Sequence, residues 1–134
     1  MPVPYFVCMG LVASIYHLPP RVLPSIQAVE GGSPGIVHRN TNNTEDLGVM
    51  QVNTTWLWAL SRYTHTPVAS VYIRLRDDTC YNIAAAGAIM RTYLDETHGD
   101  LMRAVGNYHS HTPTLNIAYQ FRVMQSARRM FTRK

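Results

Sequence analysis

Apolar residues recur at helical spacing along most of the chain. From Tyr5 onward they fall at Phe6, Met9, Val12, Ala13 and Tyr16, one face of a 3.6-residue period, until Leu18-Pro19-Pro20 stops the run. A second short helix is predicted from Arg21 to Gly31, with Val22, Ile26 and Val29 on one face. Pro24 falls in its first turn, where a missing N–H is harmless. Gly31-Gly32-Ser33-Pro34-Gly35 then breaks the chain, and Gly, Ser, Asn, Thr and Pro dominate as far as Asp46. This stretch is predicted to be a functional loop rather than a linker, because the apolar pattern resumes on both sides of it.

Leu47 to Tyr63 carries Leu47, Val49, Met50, Val52, Trp56, Leu57 and Leu60, which predicts a short extended or turn segment and then a helix capped by Asn53 or Thr54. A short helix is predicted around Pro67 to Arg74, and a strong one from Thr79 to Gly99, where Ile83, Ala84, Ala86, Gly87, Ile89, Met90, Tyr93 and Leu94 keep the period. Asp100 to Tyr108 and Asn116 to Met130 complete the set. Repeats, low-complexity tracts and convincing strand pairs are all missing. The predicted fold is therefore all-α or mainly α, one domain over residues 1–134, with 119–134 as a terminal helix and basic tail.

Composition narrows the picture. The 134 residues suit one domain, and 46% apolar with only 15% charged residues excludes a disordered chain. A net charge of +4 suits an acidic polymer without naming one. The only dense basic cluster, Arg128-Arg129-Met130-Phe131-Thr132-Arg133-Lys134, reads as a last helical turn with a frayed end, so nucleic acid is not an expected partner. No run of eighteen apolar residues is present to span a membrane. The apolar start, Val3 to Leu18, lacks the positive flank of a secretory signal, so an exported protein would have lost its leader.

Cys8 and Cys80 are the two cysteines, and without a CxxC they do not suggest a structural zinc or thioredoxin-like site. One long-range disulfide, worth roughly 4 kcal/mol, or two buried thiols in a reducing compartment both fit their spacing. His109-Ser110-His111 has the wrong spacing for a helical metal pair and HExxH does not occur, so neither metal nor cofactor is expected.

With eight carboxylates, each can be weighed. Asp77, Asp78, Asp95, Glu96 and Asp100 lie near helix ends or among polar neighbours and read as a solvated face. Glu30 differs, because it ends the apolar stretch Ile26-Gln27-Ala28-Val29 and precedes two glycines. A carboxylate at the negative end of a helix dipole has a raised pKa and no value as a cap, and burial would raise it further. A carboxylic acid kept protonated near neutrality is what general-acid catalysis needs, although a Glu paired with an Arg would look the same. Downstream, Asp46-Leu47-Gly48-Val49-Met50-Gln51-Val52-Asn53 alternates amides with apolar residues, as a groove wall facing hydroxyls would. Ala104-Val105-Gly106-Asn107-Tyr108-His109 then ends a helix with a Tyr between two hydrogen-bonding side chains.

In these pieces the chain resembles the lysozyme-like lytic transglycosylases, glycoside hydrolase family 23, and in particular the small specialised members that accompany secretion, conjugation and pilus systems. The family pattern is a helix ending in Glu, usually Glu-Ser, then G-L-M-Q-I-N, then A-Y-N. Ala28-Val29-Glu30-Gly31, Gly48-Val49-Met50-Gln51-Val52-Asn53 and Gly106-Asn107-Tyr108-His109 follow it in order. Cys80-Tyr81-Asn82-Ile83 resembles the C-x-N-I that opens the long helix of the small members, and the likeness runs from about Tyr5 to Ala118. Two positions depart: Gly31 replaces the Ser, and His109 replaces the last Asn. Both bear on substrate positioning more than on chemistry.

The resemblance implies a lysozyme-like, goose-type domain that cleaves the bond between N-acetylmuramic acid and N-acetylglucosamine in peptidoglycan and forms a 1,6-anhydro product. Glu30 would be acid and then base, with Tyr108 beside it. Gly31, Met50, Gln51, Asn53, Asn107 and His109 would contact the glycan, although Met50 and Val52 fit a core role equally. It further implies a Cys8–Cys80 bridge, a periplasmic or otherwise exported monomer, and components of a secretion machine as partners. The sequons Asn42-Asn43-Thr44 and Asn53-Thr54-Thr55 carry no weight in a bacterial wall enzyme. Asp46 leaves a hydrolytic muramidase open, because two carboxylates across a cleft support ordinary hydrolysis; a turn or cap role also fits it. A catalytically weak glycan-binding scaffold is the third reading.

Overall fold

A computed structural model describes residues 5–132. Seven α-helices are present among them: α1 (Phe6–Tyr16), α2 (Val22–Glu30), α3 (Leu57–Thr64), α4 (Val68–Asp77), α5 (Thr79–Glu96), α6 (Leu101–His109) and α7 (Pro113–Phe131). The mainly α expectation holds. Arg133 and Lys134 of the basic tail lie outside the described residues, as does Val3 of the apolar start.

Helix ends differ from the expected ones for local reasons. α5 stops at Glu96 because His98 and Gly99 turn through positive φ (55° and 88°). α7 begins three residues early because Pro113, with its fixed φ, is a favourable first helical residue. Asp78 and Asp100 cap α5 and α6, accepting from the backbone N–H groups of Tyr81 and Arg103. Asp77 and Asp95 pair with Arg76 and Arg91 at the surface, so four of the five carboxylates assigned to a solvated face have capping or surface-pairing roles.

The predicted loop from Gly31 to Asp46 contains structure that the apolar pattern does not reveal. Strands β1 (Val37–Arg39), β2 (Glu45–Leu47) and β3 (Val52–Asn53) form an antiparallel sheet in the order β1-β2-β3. Val37 pairs with Leu47, and Leu47 with Val52. Three-residue strands with an exposed first member are too short to show alternation. Turn chemistry makes the hairpin instead: Asn43 adopts φ 67°, and Asn42 Oδ1 accepts from both the N–H and the hydroxyl of Thr44. A single 3-10 turn, Thr54–Trp56, joins β3 to α3, and Asn53 caps it as predicted by accepting from the Thr55 N–H.

The long α5 runs through the centre, packing against α1, α4 and α6, while α7 closes over α2 and α6. Ile83, Ala86 and Met90 of α5 are wholly buried with Ile26, Leu47, Val49, Met50, Val71 and Leu75. The turn between β2 and β3 is tied to this core by Asn82, which is fully buried. Its Oδ1 accepts from the Met50 N–H at 2.8 Å, and its Nδ2 donates to the carbonyls of Leu47 (2.8 Å) and Leu75 (2.7 Å). Gly48 sits against this network at φ 70°, where a β-carbon would strike the Leu75 carbonyl and the Asn82 amide. Cys8 of α1 and Cys80 at the start of α5 are joined by a disulfide. Among the described residues no helix is long and apolar enough to cross a membrane.

Candidate active site

Glu30 is the last residue of α2, and Gly31 ends the helix in the left-handed conformation (φ 66°), its N–H bonded to the Gln27 carbonyl at 2.8 Å. The half-buried carboxylate faces a cleft of about 390 Å³ between the hairpin, the 3-10 turn and the end of α6. Tyr119, from the first half of α7 and wholly buried, donates its hydroxyl to Glu30 Oε2 at 2.5 Å. Oε1 has no partner among the described residues. Burial pushes the Glu30 pKa up; the Tyr119 bond opposes that rise, Asp46 adds to it through charge, and Arg122 lowers it. The outcome is a raised pKa, so the acid form persists to higher pH than in a free Glu. Burial and the neighbouring carboxylate push the Tyr119 phenol far upward, which keeps it a donor.

The hairpin supplies the facing wall. Asp46 Oδ1 accepts from Asn53 Nδ2 (2.9 Å) and Oδ2 from Asn40 Nδ2 (3.2 Å), and both amides also donate to Thr44 Oγ1. Gln51 adopts φ 52° and donates its side-chain amide to the Gly48 carbonyl at 3.0 Å, leaving its own amide oxygen unbonded within the cleft. Trp56 and Tyr93 form an edge-to-face aromatic pair at 5.8 Å along one side, and Tyr93 packs edge-on against His111. Amide groups opposite partly buried aromatic rings suit a polyhydroxylated ring, which offers hydroxyls on its edge and C–H groups on its face.

The expected site residues divide. Glu30, Gln51, Asn53, Asn107, Tyr108 and His109 line this cleft. Met50 does not: its side chain is wholly buried and belongs to the core, because its backbone is pulled inward by Asn82. Gly31 does not line the cleft either, and its role is the helix cap. Asn107 is buried with both ends occupied, donating to Glu96 Oε1 (2.9 Å) and accepting from Asn116 Nδ2 (2.8 Å), so it builds the wall and has no free group for a ligand. Glu96 is correspondingly more than a solvated side chain, since His111 Nε2 also lies 2.8 Å from it.

Tyr108 donates to the Met50 carbonyl at 2.7 Å rather than to Glu30. It thereby fastens α6 to the β2–β3 turn. The residue that holds Glu30 is Tyr119, which the sequence reading passed over within a terminal helix. A signal was present: the inward stripe of α7 is Asn116, Tyr119, Val123 and Ser126, three of them polar, where a purely structural helix would present aliphatic residues. His109 stacks on Tyr119 at 5.0 Å and 14°, and partial shielding from water together with Arg122 lowers its pKa against an opposing pull from Asp46. Arg122 also lies over the Tyr119 ring, 5.4 Å from its centre. Trp56 and Tyr93 were legible only as apolar helix positions.

Among the described residues no group of three or more His, Cys, Asp or Glu side chains could hold a metal ion. No family model matches the chain, and no curated protein matches it.

Proposed function

We propose that this chain is a peptidoglycan lytic transglycosylase of lysozyme-like fold in which Glu30 acts as both acid and base. One observation carries the reading: a single carboxylate with a raised pKa, fixed by a buried phenol, stands under a cleft lined by amides and aromatic rings. The other carboxylate in the cleft, Asp46, already has both oxygens engaged by amides.

Protonated Glu30 gives its proton to the glycosidic oxygen between N-acetylmuramic acid and N-acetylglucosamine, and the bond from that oxygen to C1 breaks. The oxocarbenium-like C1 is stabilised by the sugar's own acetamido group. Glu30, now a carboxylate, takes the proton from the 6-hydroxyl as O6 bonds to C1, which closes the 1,6-anhydro ring and restores the acid. Water is not consumed. Tyr119 occupies Oε2, which leaves Oε1 for the proton in both steps. Gln51 offers its amide oxygen to the glycan, and Trp56 and Tyr93 offer ring faces.

Asp46 supports a second reading, a hydrolytic muramidase, because it shares the cleft. Each of its oxygens accepts one amide hydrogen bond and keeps a further lone pair that can take a proton from water. Digestion of sacculi in ¹⁸O-labelled water separates the two: hydrolysis places one solvent oxygen in every new reducing end, and transglycosylation places none. Glu30→Gln separates either enzyme from a glycan-binding scaffold, because the variant should bind chito-oligosaccharide and no longer clear a sacculus suspension. The Cys8–Cys80 bridge supports an exported, oxidising setting, and the net charge of +4 favours approach to an anionic wall. Service to a secretion, conjugation or pilus machine rests on the family resemblance alone.

A further inference from the structure

Beside the cleft, where the end of α5 meets α6 and the start of α7, lies a larger cavity of about 630 Å³. Cleft and cavity share Asn107 and His111 as a common wall, so a ligand chain leaving the cleft over His111 enters the cavity directly. We infer that this cavity binds a short peptide carrying both a free amine and a carboxylate. On the transglycosylase reading, on which the inference rests, that ligand is the peptide stem borne by the muramyl sugar.

The charges of the cavity carry the argument. Among the described arginines, Arg39, Arg76 and Arg91 are paired with a carboxylate, and Arg103 shares the unpaired state of the other six. Arg103 lines the cavity together with Glu96 and Asp100, yet among the described residues its guanidinium makes neither an ion pair nor a hydrogen bond. Asp100 uses only Oδ1, as the cap of α6 (3.2 Å to the Arg103 N–H). Glu96 uses only Oε1, which takes both Asn107 and His111. One concavity thus presents an unspent cation and two unspent carboxylate oxygens that do not satisfy one another. A neutral glycan has no use for either sign. A ligand that uses both must carry an anionic and a cationic group several bonds apart, and Pro113 and Ile117 add apolar surface for its aliphatic parts. The volume falls within the usual range for small-ligand sites.

The test is an NMR titration of the ¹⁵N-labelled full chain with two probes: a free stem tetrapeptide bearing a side-chain amine and carboxylates, and a neutral chito-oligosaccharide. The peptide should move the backbone signals of Thr97, Arg103 and Gln120. The oligosaccharide should move those of Gln51, Asn53 and Trp56. Arg103→Glu should weaken the peptide about tenfold or more, as expected for loss of a charge-assisted hydrogen bond, and leave the oligosaccharide unaffected. Arg103→Ala should act in the same direction. The inference is overturned if the peptide moves no signal around the cavity, or if a variant that still binds the oligosaccharide binds the peptide as tightly as the wild type. Peptide binding without oligosaccharide binding would sustain the peptide site while removing the transglycosylase reading of the cleft.

Discussion

Replacing Tyr119 by Phe removes one oxygen atom and keeps the buried ring, so its consequences can be worked from the structure. The atom lost is the donor to Glu30 Oε2 at 2.5 Å. A hydrogen bond to a charged partner contributes about 1.5–3 kcal/mol, and a bond to a neutral one about 0.5–1.5 kcal/mol. In the proposed reaction Tyr119 holds the carboxylate that receives a proton from the 6-hydroxyl, so kcat should fall about ten- to hundredfold. The bond also restrains the upward shift of Glu30. Without it the acid form persists further, and the alkaline limb of the activity profile moves to higher pH. Stability follows the same bond: the variant loses more at pH values where Glu30 is ionised than where it is protonated. Turbidity loss of sacculi measured across pH, with thermal melts in the same buffers, gives all three quantities. A variant with wild-type kcat and an unmoved alkaline limb would refute the assignment of Tyr119 as the residue that positions Glu30.

Other perturbations follow from the same geometry. Glu30 has a folded pKa above its unfolded value, so its favourable contribution is complete below the unfolded pKa and is lost as pH rises through the folded one. Glu30→Gln should therefore melt higher than the wild type at about pH 8, with the advantage gone at about pH 4; equal melting temperatures at both would contradict the buried charge. Asn82→Ala strands the Met50 N–H and the Leu47 and Leu75 carbonyls, which should cost about 3 kcal/mol or more and lower the melting temperature by about 10 °C. An unchanged denaturation curve would show that water replaces the amide. Replacing both Cys8 and Cys80 by Ser should cost about 4 kcal/mol, and reductant should lower the wild-type melt while leaving that variant's unchanged.

Much of the helical frame was legible because its signals are local. Pro19-Pro20 and Gly31 end helices by backbone geometry, and the α5 period is long enough to read without its neighbours. Glu30 was legible because an acid at the end of an apolar helix has no structural use. The hairpin was not, because β1 and β2 hold together through Asn42, Asn43 and Thr44 rather than through apolar alternation. Met50 could not be assigned to groove or core, since the direction of its side chain depends on Asn82 in a distant helix. Tyr119 lies far along the chain from Glu30, and only the packing of α7 on α2 brings them together. Residue type and order pointed to an acid and a groove, whereas the partner that orients the acid is a property of the assembled helices.

In the proposed reaction Glu30 alone supplies both proton transfers and no water enters. Mass spectrometry of the soluble products from sacculi digested by the wild type and by Glu30→Gln tests it most directly. The wild type should release muropeptides ending in 1,6-anhydro-N-acetylmuramic acid, each lighter by one water than its hydrolytic counterpart, and the variant should release none. Reducing-end products from the wild type, or anhydro products from the variant, would contradict the proposed reaction.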